Sequence, residues 1–357
     1  MYAYALEILS QFIEKLPQNE ISVFSELAIL LDRTSGKPVD YDSVAEKQVI
    51  LKKYFDSTKK LIDGSQIKIN KILLFQDLQA KSKWMKEHIK SSEWLSEGFF
   101  NGYYNNDKQR IEGKIAGRTQ MTLTGQVFPI MSQTADKAQI ESIISNINKY
   151  LFDKRLGGIR LNTDFGAEQH NLGRAFSFVY GDKENGAFFN HMTVMYAYAL
   201  LQRGYDEEGC KILDSIYKMS SNTNSSLIYP CVPEYFNGSG RGMYCYLTGS
   251  ASWYVLTILT RIFGLRGGQG NLLINPLLTP EIFGKLNKIS VTTLFAGKKL
   301  SVIFGRTGAG KPAKISSIFL NGKKVECKIE NLCASIPRTT FLNLADREMN
   351  VLEVELR

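Results

Sequence analysis

The most informative stretch of the chain is PEYFNGSGRGMYCYLTGSASW, which runs from Pro233 to Trp253. It crowds glycine, aromatic and hydrogen-bonding residues into a loop, and a helical pattern follows it. A second run of this kind, GDKENGAFFNH, ends at His191 and also precedes a helical pattern. Loops of this composition beside helices are typical of a pocket for a polar, ring-shaped ligand. The two runs together predict a sugar-phosphate site.

Helical periodicity dominates the chain before Gly270. Apolar residues recur at three- and four-residue spacing, which predicts amphipathic helices. The first helix ends at Pro17, and Asp42 is the expected N-cap of the second. The first predicted helix covers residues 2–16, and the second follows Asp42 and includes Val44 to Leu61. Further predicted helices cover about 72–90, 119–133, 136–151, 190–203, 207–220 and 246–263. Serial helix pairs of this length favour an α/α toroid over a short bundle.

Beyond Gly270 the pattern changes to short β-type runs, separated by turn residues such as Asn321-Gly322. The runs are LLINP, KISVTTLF, KLSVIFG, KISSIFL and VECKIE. The predicted fold class is therefore mainly α, with a small C-terminal β-domain. The predicted domains are residues 1–270 and 271–357.

Composition and charge exclude some classes of protein. A chain of 357 residues with 44% hydrophobic and 22% charged residues is ordinary for a soluble globular protein. The net charge of +9 suits an anionic partner, but lysines are interspersed with acidic residues in the helical stretches, as on a solvated face. Five dispersed cysteines without a CxxC pair indicate reduced thiols and a cytoplasmic protein. Neither a signal peptide nor a membrane span is expected.

One nucleotide-binding motif can be set aside. The run GRTGAGK, from Gly305 to Lys311, matches most of a phosphate-binding loop. Pro312 follows where that loop needs Ser or Thr, and the next segment has a β pattern where a helix is required. We interpret this run as a basic turn between two strands.

The candidate ligand-binding residues lie in the two glycine-rich runs. His191 at a helix start can donate to an anion, and Thr248, Gly249 and Ser250 can present hydroxyl and N–H groups to an oxyanion. The structural alternatives are a histidine satisfied by local backbone groups and an N-cap with a glycine hinge. Residues able to reach sugar hydroxyls or phosphate are Glu234, Tyr235, Asn237 and Arg241, while Tyr103, Tyr104, Tyr235, Tyr244 and Tyr246 offer aromatic faces for pyranose rings.

The order of these motifs resembles that of a known family. The run FFNGYYNND starts at Phe99, a helix containing Gln126 follows, and then come GDKENGAFFNH, PEYF, GRGMYCYLTGSASW and FGLRG. This order is similar to the C-terminal half of the glycoside phosphorylases of glycoside hydrolase family 94. Within the family it resembles the 1,2-β-oligoglucan phosphorylases and the related module of cyclic 1,2-β-glucan synthases. The similarity extends from about residue 94 onward.

The resemblance implies a fold, a reaction and roles for residues. It implies an (α/α)6 toroid, incomplete in this chain, followed by a β-domain, and inverting phosphorolysis of a β-linked glucooligosaccharide to glucose 1-phosphate. Phosphate would be held by His191, Thr248 and Gly249. Glu184 and Glu234 match motif positions and would contact the substrate. No cofactor or metal is implied, since inorganic phosphate is the co-substrate.

The family's general acid has no counterpart in this sequence. The family places an aspartate in a DWND-like loop, and neither DW nor WND occurs here. The acid is expected upstream of Met1, so the chain is expected to be a C-terminal piece with exposed apolar helix faces. Its expected partners are β-glucooligosaccharide and phosphate, with an N-terminal fragment or a second copy as further candidates, and neither nucleic acid nor membrane. The alternative is a catalytically inactive carbohydrate-binding remnant or the C-terminal subunit of a split enzyme.

Overall fold

The computed structural model describes residues 1–59, 62, 64–229, 231–306, 314–330, 332–345 and 348–357. These residues form two compact units, Met1–Tyr150 and Leu151–Arg357. The division at residue 270 stays a prediction. Most of the predicted basic turn falls in residues 307–313, which lie outside the described residues. No helix within the described ranges is long and apolar enough to cross a membrane.

The first unit is mainly helical. Its elements are α1 (Tyr2–Lys15), β1 (Glu20–Phe24), α2 (Ser25–Ala28), α3 (Val44–Thr58), β2 (Gln66–Asn70), α4 (Lys71–Ser92), β3 (Gly113–Ile115), β4 (Arg118–Gln120), α5 (Thr124–Met131) and α6 (Lys137–Tyr150), with a 3-10 turn at Asp32–Ser35. β1 pairs antiparallel with β2, and β3 with β4. α1 ends at Lys15, just before Pro17, as the sequence predicted.

Two sequence predictions in this unit were wrong in detail. Asp42 is not the N-cap of α3, because Ser43 takes that position and its hydroxyl accepts from the Glu46 N–H at 3.3 Å. The predicted helix 119–133 begins only at Thr124, because its first residues belong to β4, which pairs with β3. Pairing between segments overrides helical periodicity there.

The first unit exposes apolar helix faces, as the sequence predicted. In α1, Leu9 is 51% and Phe12 48% exposed, and every described residue of α3 is at least partly exposed. An apolar groove of about 810 Å³ lies among α1, α3 and α4. Association through this face with an N-terminal fragment or a second copy stays a prediction.

The second unit joins a helical part to a β region. Its elements are β5 (Phe152–Asp153), β6 (Gly158–Ile159), β7 (Phe188–Phe189), α7 (Asn190–Gln202), α8 (Asp206–Ser221), α9 (Thr223–Ser226), β8 (Tyr235–Phe236), β9 (Gly242–Met243), α10 (Gly249–Thr257), β10 (Leu265–Gly268), β11 (Asn271–Ile274), α11 (Pro280–Phe283), β12 (Lys288–Phe295), β13 (Lys298–Arg306), β14 (Ile315–Leu320), β15 (Lys323–Lys324), β16 (Lys328–Glu330), β17 (Cys333–Ile336), α12 (Thr339–Leu342) and β18 (Asn350–Leu356). Further 3-10 turns lie at His170–Leu172 and Arg174–Ser177, and α10 continues as a π-helical turn, Ile258–Ile262.

The C-terminal β region predicted from sequence is confirmed. Its larger sheet has the order β12-β13-β18-β14-β15, and a second sheet has the order β10-β11-β17-β16. Burial alternates along β12, β13 and β18, as the period of two in their sequences requires. β13 and β18 are parallel neighbours, although they are distant in sequence. The toroid arrangement of the helices stays a prediction.

Gly102 in the FFNGYYNND run lies where two backbone segments pack closely together. A Cβ on Gly102 would lie 2.5 Å from the Cα of Gly125, so the two backbones touch. Glu112, which is 3% exposed, accepts from the N–H groups of Gly102 and Thr122. Gln126 is fully buried and pairs with both backbone groups of Phe100. These motif residues therefore fix the loop between α4 and α5.

We predict that Glu112 makes stability fall as pH rises. Burial raises the pKa of Glu112 from its usual 4.5 to about 7, although backbone hydrogen bonds from Gly102 and Thr122 act to lower it. Between these two values the folded state binds more protons than the unfolded state. Its contribution is therefore present below pH 4.5 and is lost as pH rises through 7, a change of about 3 kcal/mol.

Glu112→Gln should flatten this profile when urea unfolding of the whole chain is measured between pH 5 and pH 8. Glu141→Gln is the matched control, because Glu141 is 55% exposed on α6. A Glu112→Gln profile as steep as that of the control would contradict the prediction.

Candidate functional site

Two helices of the second unit begin at one carbonyl group. The carbonyl oxygen of Glu234 accepts from the N–H of Asn190 at 2.9 Å and from Ser250 Oγ at 3.1 Å. Asn190 is the first residue of α7, and Ser250 lies in the first turn of α10. Both are buried. The N-termini of α7 and α10 therefore converge, which brings their N–H groups and the positive ends of their dipoles together.

The imidazole of His191 lies against the backbone of Gly249. A Cβ on Gly249 would stand 2.5 Å from the Cε1 atom of His191 and 2.7 Å from its Nδ1 atom. Such distances are shorter than van der Waals contact, so a side chain at this position would displace the ring. Gly249 is thus required for the place that His191 occupies. His191, Thr248 and Gly249, which the sequence assigned to phosphate, lie together.

Thr248 is the N-cap of α10, and its hydroxyl accepts from the Ser250 N–H at 3.2 Å. The helix begins at Gly249 and not at residue 246 as the sequence predicted, because this cap satisfies an N–H group of the first turn. The cap uses one lone pair of the hydroxyl, and its proton remains a donor for an anion. The capping and anion-binding interpretations are therefore compatible.

His191 favours its neutral form in the absence of an anion. Burial lowers the pKa of its imidazole, and the negative charge of Glu234 opposes this effect. An anion bound at the two helix N-termini would favour the protonated ring. His191 can therefore respond to a bound anion by taking up a proton.

The predicted sugar contacts Glu234, Asn237 and Arg241 lie at opposite ends of the β8–β9 hairpin. At its base the Glu234 N–H donates to the carbonyl of Tyr244 at 3.2 Å, beside the site. Asn237 and Arg241 lie in the turn beyond β8, at the opposite end. There the Asn237 Oδ1 atom accepts from the N–H groups of Ser239 and Arg241 and shapes the turn. The structure does not bring Asn237 and Arg241 beside His191, and their sugar contacts stay predictions.

Tyr235 is a buried support between the two glycine-rich runs. It is 1% exposed, and its hydroxyl donates to Asp182 Oδ1 at 3.1 Å. Its ring stacks on Phe189 with centroids 6.3 Å apart and meets Tyr244 edge-on at 5.7 Å. Burial raises the pKa of its phenol. A sugar contact by Tyr235 stays a prediction, and these surroundings favour a positioning role.

Glu184 lies in the turn between Asp182 and Asn185. Its Oε1 atom is 3.5 Å from Arg174 Nη2, and its Oε2 atom is buried without a hydrogen-bond partner among the described residues. A buried carboxylate oxygen normally accepts at least one hydrogen bond. The hydroxyl of a ligand would satisfy it.

Comparisons with known proteins identify the family to which the chain belongs. The family model described as the glycosyl hydrolase 94 superfamily, catalytic domain, matches residues 41–264, which is more than half of the chain. The chain belongs to the glycosyl hydrolase 94 superfamily. The family predicted from sequence is thereby confirmed, and both glycine-rich runs lie inside the matched range.

Three curated relatives are glycoside phosphorylases by name. Cellobionic acid phosphorylase of Neurospora crassa is 25% identical over 240 residues, an alignment that covers 60% of this chain and 28% of that protein. N,N'-diacetylchitobiose phosphorylase of Vibrio proteolyticus is 23% identical over 264 residues, covering 69% of this chain and 31% of that protein. The enzyme of the same name from Vibrio furnissii is 23% identical over 263 residues, covering 70% and 31%. This glycosyl hydrolase 94 chain thus spans about three-tenths of the length of these relatives.

Two residues that shape this glycosyl hydrolase 94 site, Asn190 and Asn162, were not predicted from the sequence. Asn190 donates its side-chain amide to the Pro233 carbonyl at 2.9 Å. Asn162 is 1% exposed, donates to Asn185 Oδ1 and accepts from the Gly186 N–H. Asn190 was marked by its place at a predicted helix start, but nothing near Asn162 marks it. Within the described ranges, no group of three or more His, Cys, Asp or Glu side chains is arranged to hold a metal.

We predict that Gly249→Ala weakens anion binding and leaves the fold intact. The added methyl group must push the His191 ring from its place, whereas alanine is well tolerated in a first helical turn. Sulfate affinity, measured by calorimetry, should fall about tenfold or more, as expected when a charge-assisted hydrogen bond is lost.

The matched control is Gly267→Ala in β10, where a Cβ would meet no atom within 4 Å. Both variants should keep the wild-type circular dichroism spectrum. Equal sulfate affinity in Gly249→Ala and the control would contradict the placement of His191.

Proposed function

We propose that this chain supplies the phosphate-binding part of an inverting glycoside phosphorylase that releases glucose 1-phosphate from a β-linked glucooligosaccharide. The observation that carries the proposal is the convergence of two helix N-termini with the His191 ring packed on Gly249. Such an arrangement suits an oxyanion. Membership of the family and three phosphorylases among the relatives support it.

The chemistry needs few groups from the protein. A phosphate oxygen attacks the anomeric carbon from the face opposite the glycosidic oxygen, and a carboxylic acid protonates that oxygen as it leaves. Phosphate is already anionic, so no base is needed to activate it, unlike the water of an inverting hydrolase. His191, the Thr248 hydroxyl and the first N–H groups of α10 hold the phosphate. Glu184 and Glu234 contact the sugar.

The general acid is proposed to come from outside these 357 residues. Neither DW nor WND occurs in the sequence, and the chain spans about three-tenths of its curated relatives. The same two observations favour a second candidate function, a carbohydrate-binding remnant or the C-terminal subunit of a split enzyme. A preference for 1,2-β-linkages is part of the proposal and is supported by the motif order alone.

A part of a phosphorylase, whether or not the enzyme is split, and an inactive carbohydrate-binding remnant predict different turnover. The chain is incubated with phosphate and linear 1,2-β-glucooligosaccharide, alone and with any adjacently encoded N-terminal fragment, and glucose 1-phosphate is measured. A phosphorylase releases it in a phosphate-dependent way in at least one mixture. Retained sugar binding without release in either mixture would establish the remnant. Cellobionic acid and N,N'-diacetylchitobiose, the sugars in the relatives' names, test other substrates.

We predict that anion affinity rises as pH falls, because of His191. The pKa of this imidazole is lowered in the free protein and rises when an anion binds, so binding takes up a proton. Sulfate is the suitable probe because it stays dianionic from pH 5 to 8. Its affinity should increase on acidification through the histidine's pKa.

His191→Ala should bind sulfate about tenfold more weakly at pH 5.5 and show a flat pH profile. His170→Ala is the control, because His170 is exposed in a separate 3-10 turn. A wild-type pH dependence that survives in His191→Ala would show that another group binds the anion.

A further inference from the structure

Two of the cysteines stand on either side of the β8–β9 hairpin, close in sequence to the cap at Thr248. We propose that Cys231 and Cys245 are a redox pair, which a low-molecular-weight disulfide converts reversibly to an intramolecular disulfide bond. This bond would lock the base of the hairpin, where Glu234 holds the starts of α7 and α10. Both thiols are free in the structure.

The segment that carries Cys231 contacts the β9 region on both sides of the cysteine. Before it, Ile228 packs on Gly242, where an added Cβ would lie 2.5 Å from the Ile228 Cδ1 atom. After it, the Glu234 N–H donates to the carbonyl of Tyr244 at 3.2 Å. Cys231 stands midway between these two contacts in the sequence. The backbone therefore holds Cys231 beside the end of β9.

The chain turns sharply just before Cys245. Tyr244 has a φ of 57°, which lies in the left-handed region, so the extended path of β9 ends at Met243. At this turn the side chains of the two cysteines meet, and the Cys231 thiol shares a hydrogen bond with that of Cys245. Thiols that already touch can be joined without a large movement of the backbone.

The two thiols differ in access to solvent. Cys245 is exposed, whereas Cys231 is partly buried. Burial raises the pKa of the Cys231 thiol to about 11, and the hydrogen bond and charge of Cys245 add to this effect. An oxidant therefore meets Cys245 first, and Cys231 keeps its proton until the second step.

The oxidation consists of two thiol–disulfide exchanges. The Cys245 thiolate attacks one sulfur of the small disulfide and breaks its S–S bond, which forms a mixed disulfide and releases one small thiol. Cys231 then loses its proton and attacks the Cys245 sulfur, which forms the intramolecular bond and releases the second small thiol. The protein loses two hydrogen atoms, and one small disulfide is reduced to two thiols. The reverse exchanges restore both cysteines.

The bond would close the loop of residues 231–245, which contains both strands of the hairpin. Closing a loop of this length lowers the conformational entropy of the unfolded chain and so stabilises the folded state. The stabilisation is expected only if the bond fits the folded geometry, as the contact between the two thiols indicates.

The test is oxidation of the whole chain with oxidised glutathione, followed by non-reducing peptide mapping and thermal unfolding. A peptide linked through Cys231 and Cys245 should appear, and dithiothreitol should remove it. The unfolding temperature of the oxidised chain should exceed that of the reduced chain by several degrees. Cys245→Ser should lose both effects, and Cys231→Ser should leave glutathione trapped on Cys245.

Cys327→Ser is the matched control and should keep both effects. Cys327 is also partly buried, and the pKa of its thiol is raised by burial alone.

Four results would each overturn the inference. A wild-type chain whose thiols all stay reduced, or one that keeps glutathione on Cys245 without the linked peptide, would show that the two cysteines do not pair. A disulfide between two chains would show that the reactive partner lies outside the protein. A lower unfolding temperature in the oxidised chain would show that the bond strains the hairpin and does not lock it.

Discussion

Two hydrogen bonds to the carbonyl oxygen of Glu234 hold the candidate site together. One comes from the N–H of Asn190 and the other from the hydroxyl of Ser250, both buried, so neither donor has water as an alternative partner. Losing either would leave a buried polar group unsatisfied, which costs more than a typical exposed hydrogen bond contributes. The starts of two helices distant in sequence are thereby fixed side by side. The position of His191, the cap at Thr248 and the hairpin that carries Tyr244 all follow from this junction.

Each unit has a glycine whose missing side chain leaves room for a neighbouring group. Gly249 leaves room for the His191 ring, and Gly102 leaves room for the backbone at Gly125 in the other unit. In both places a methyl group would collide with a neighbour, so the glycines are explained by packing and not by a turn. These two motif glycines therefore lie where a neighbouring group packs closely against the backbone. Each of these close contacts positions a polar group, the imidazole in one unit and the carboxylate of Glu112 in the other.

The sequence predicted the grouping of residues at the two helix starts better than the positions of residues in the β8–β9 hairpin. His191, Thr248 and Gly249 lie together as expected, because each stands at a helix start, and capping patterns of this kind are local. Asn237 and Arg241 lie in a separate turn, because register and turn geometry set the position of hairpin residues. Asp42 lost the N-cap position to Ser43, one residue away, since two good capping residues stand side by side. Asn190 and Ser250 acquired their roles only through a carbonyl more than a dozen residues away.

The helical first part, the β-type C-terminal region and the family could all be predicted from the amino-acid sequence. These depend on periodicity, turn residues and motif order, all of which are local properties of the chain. The folded structure was needed to show which N–H groups converge, which tyrosine is buried and which is exposed, and that the His191 ring rests on Gly249. Those features depend on contacts between segments far apart in sequence. Their formation follows from packing and from the need of buried polar groups for partners, and no local pattern encodes either one.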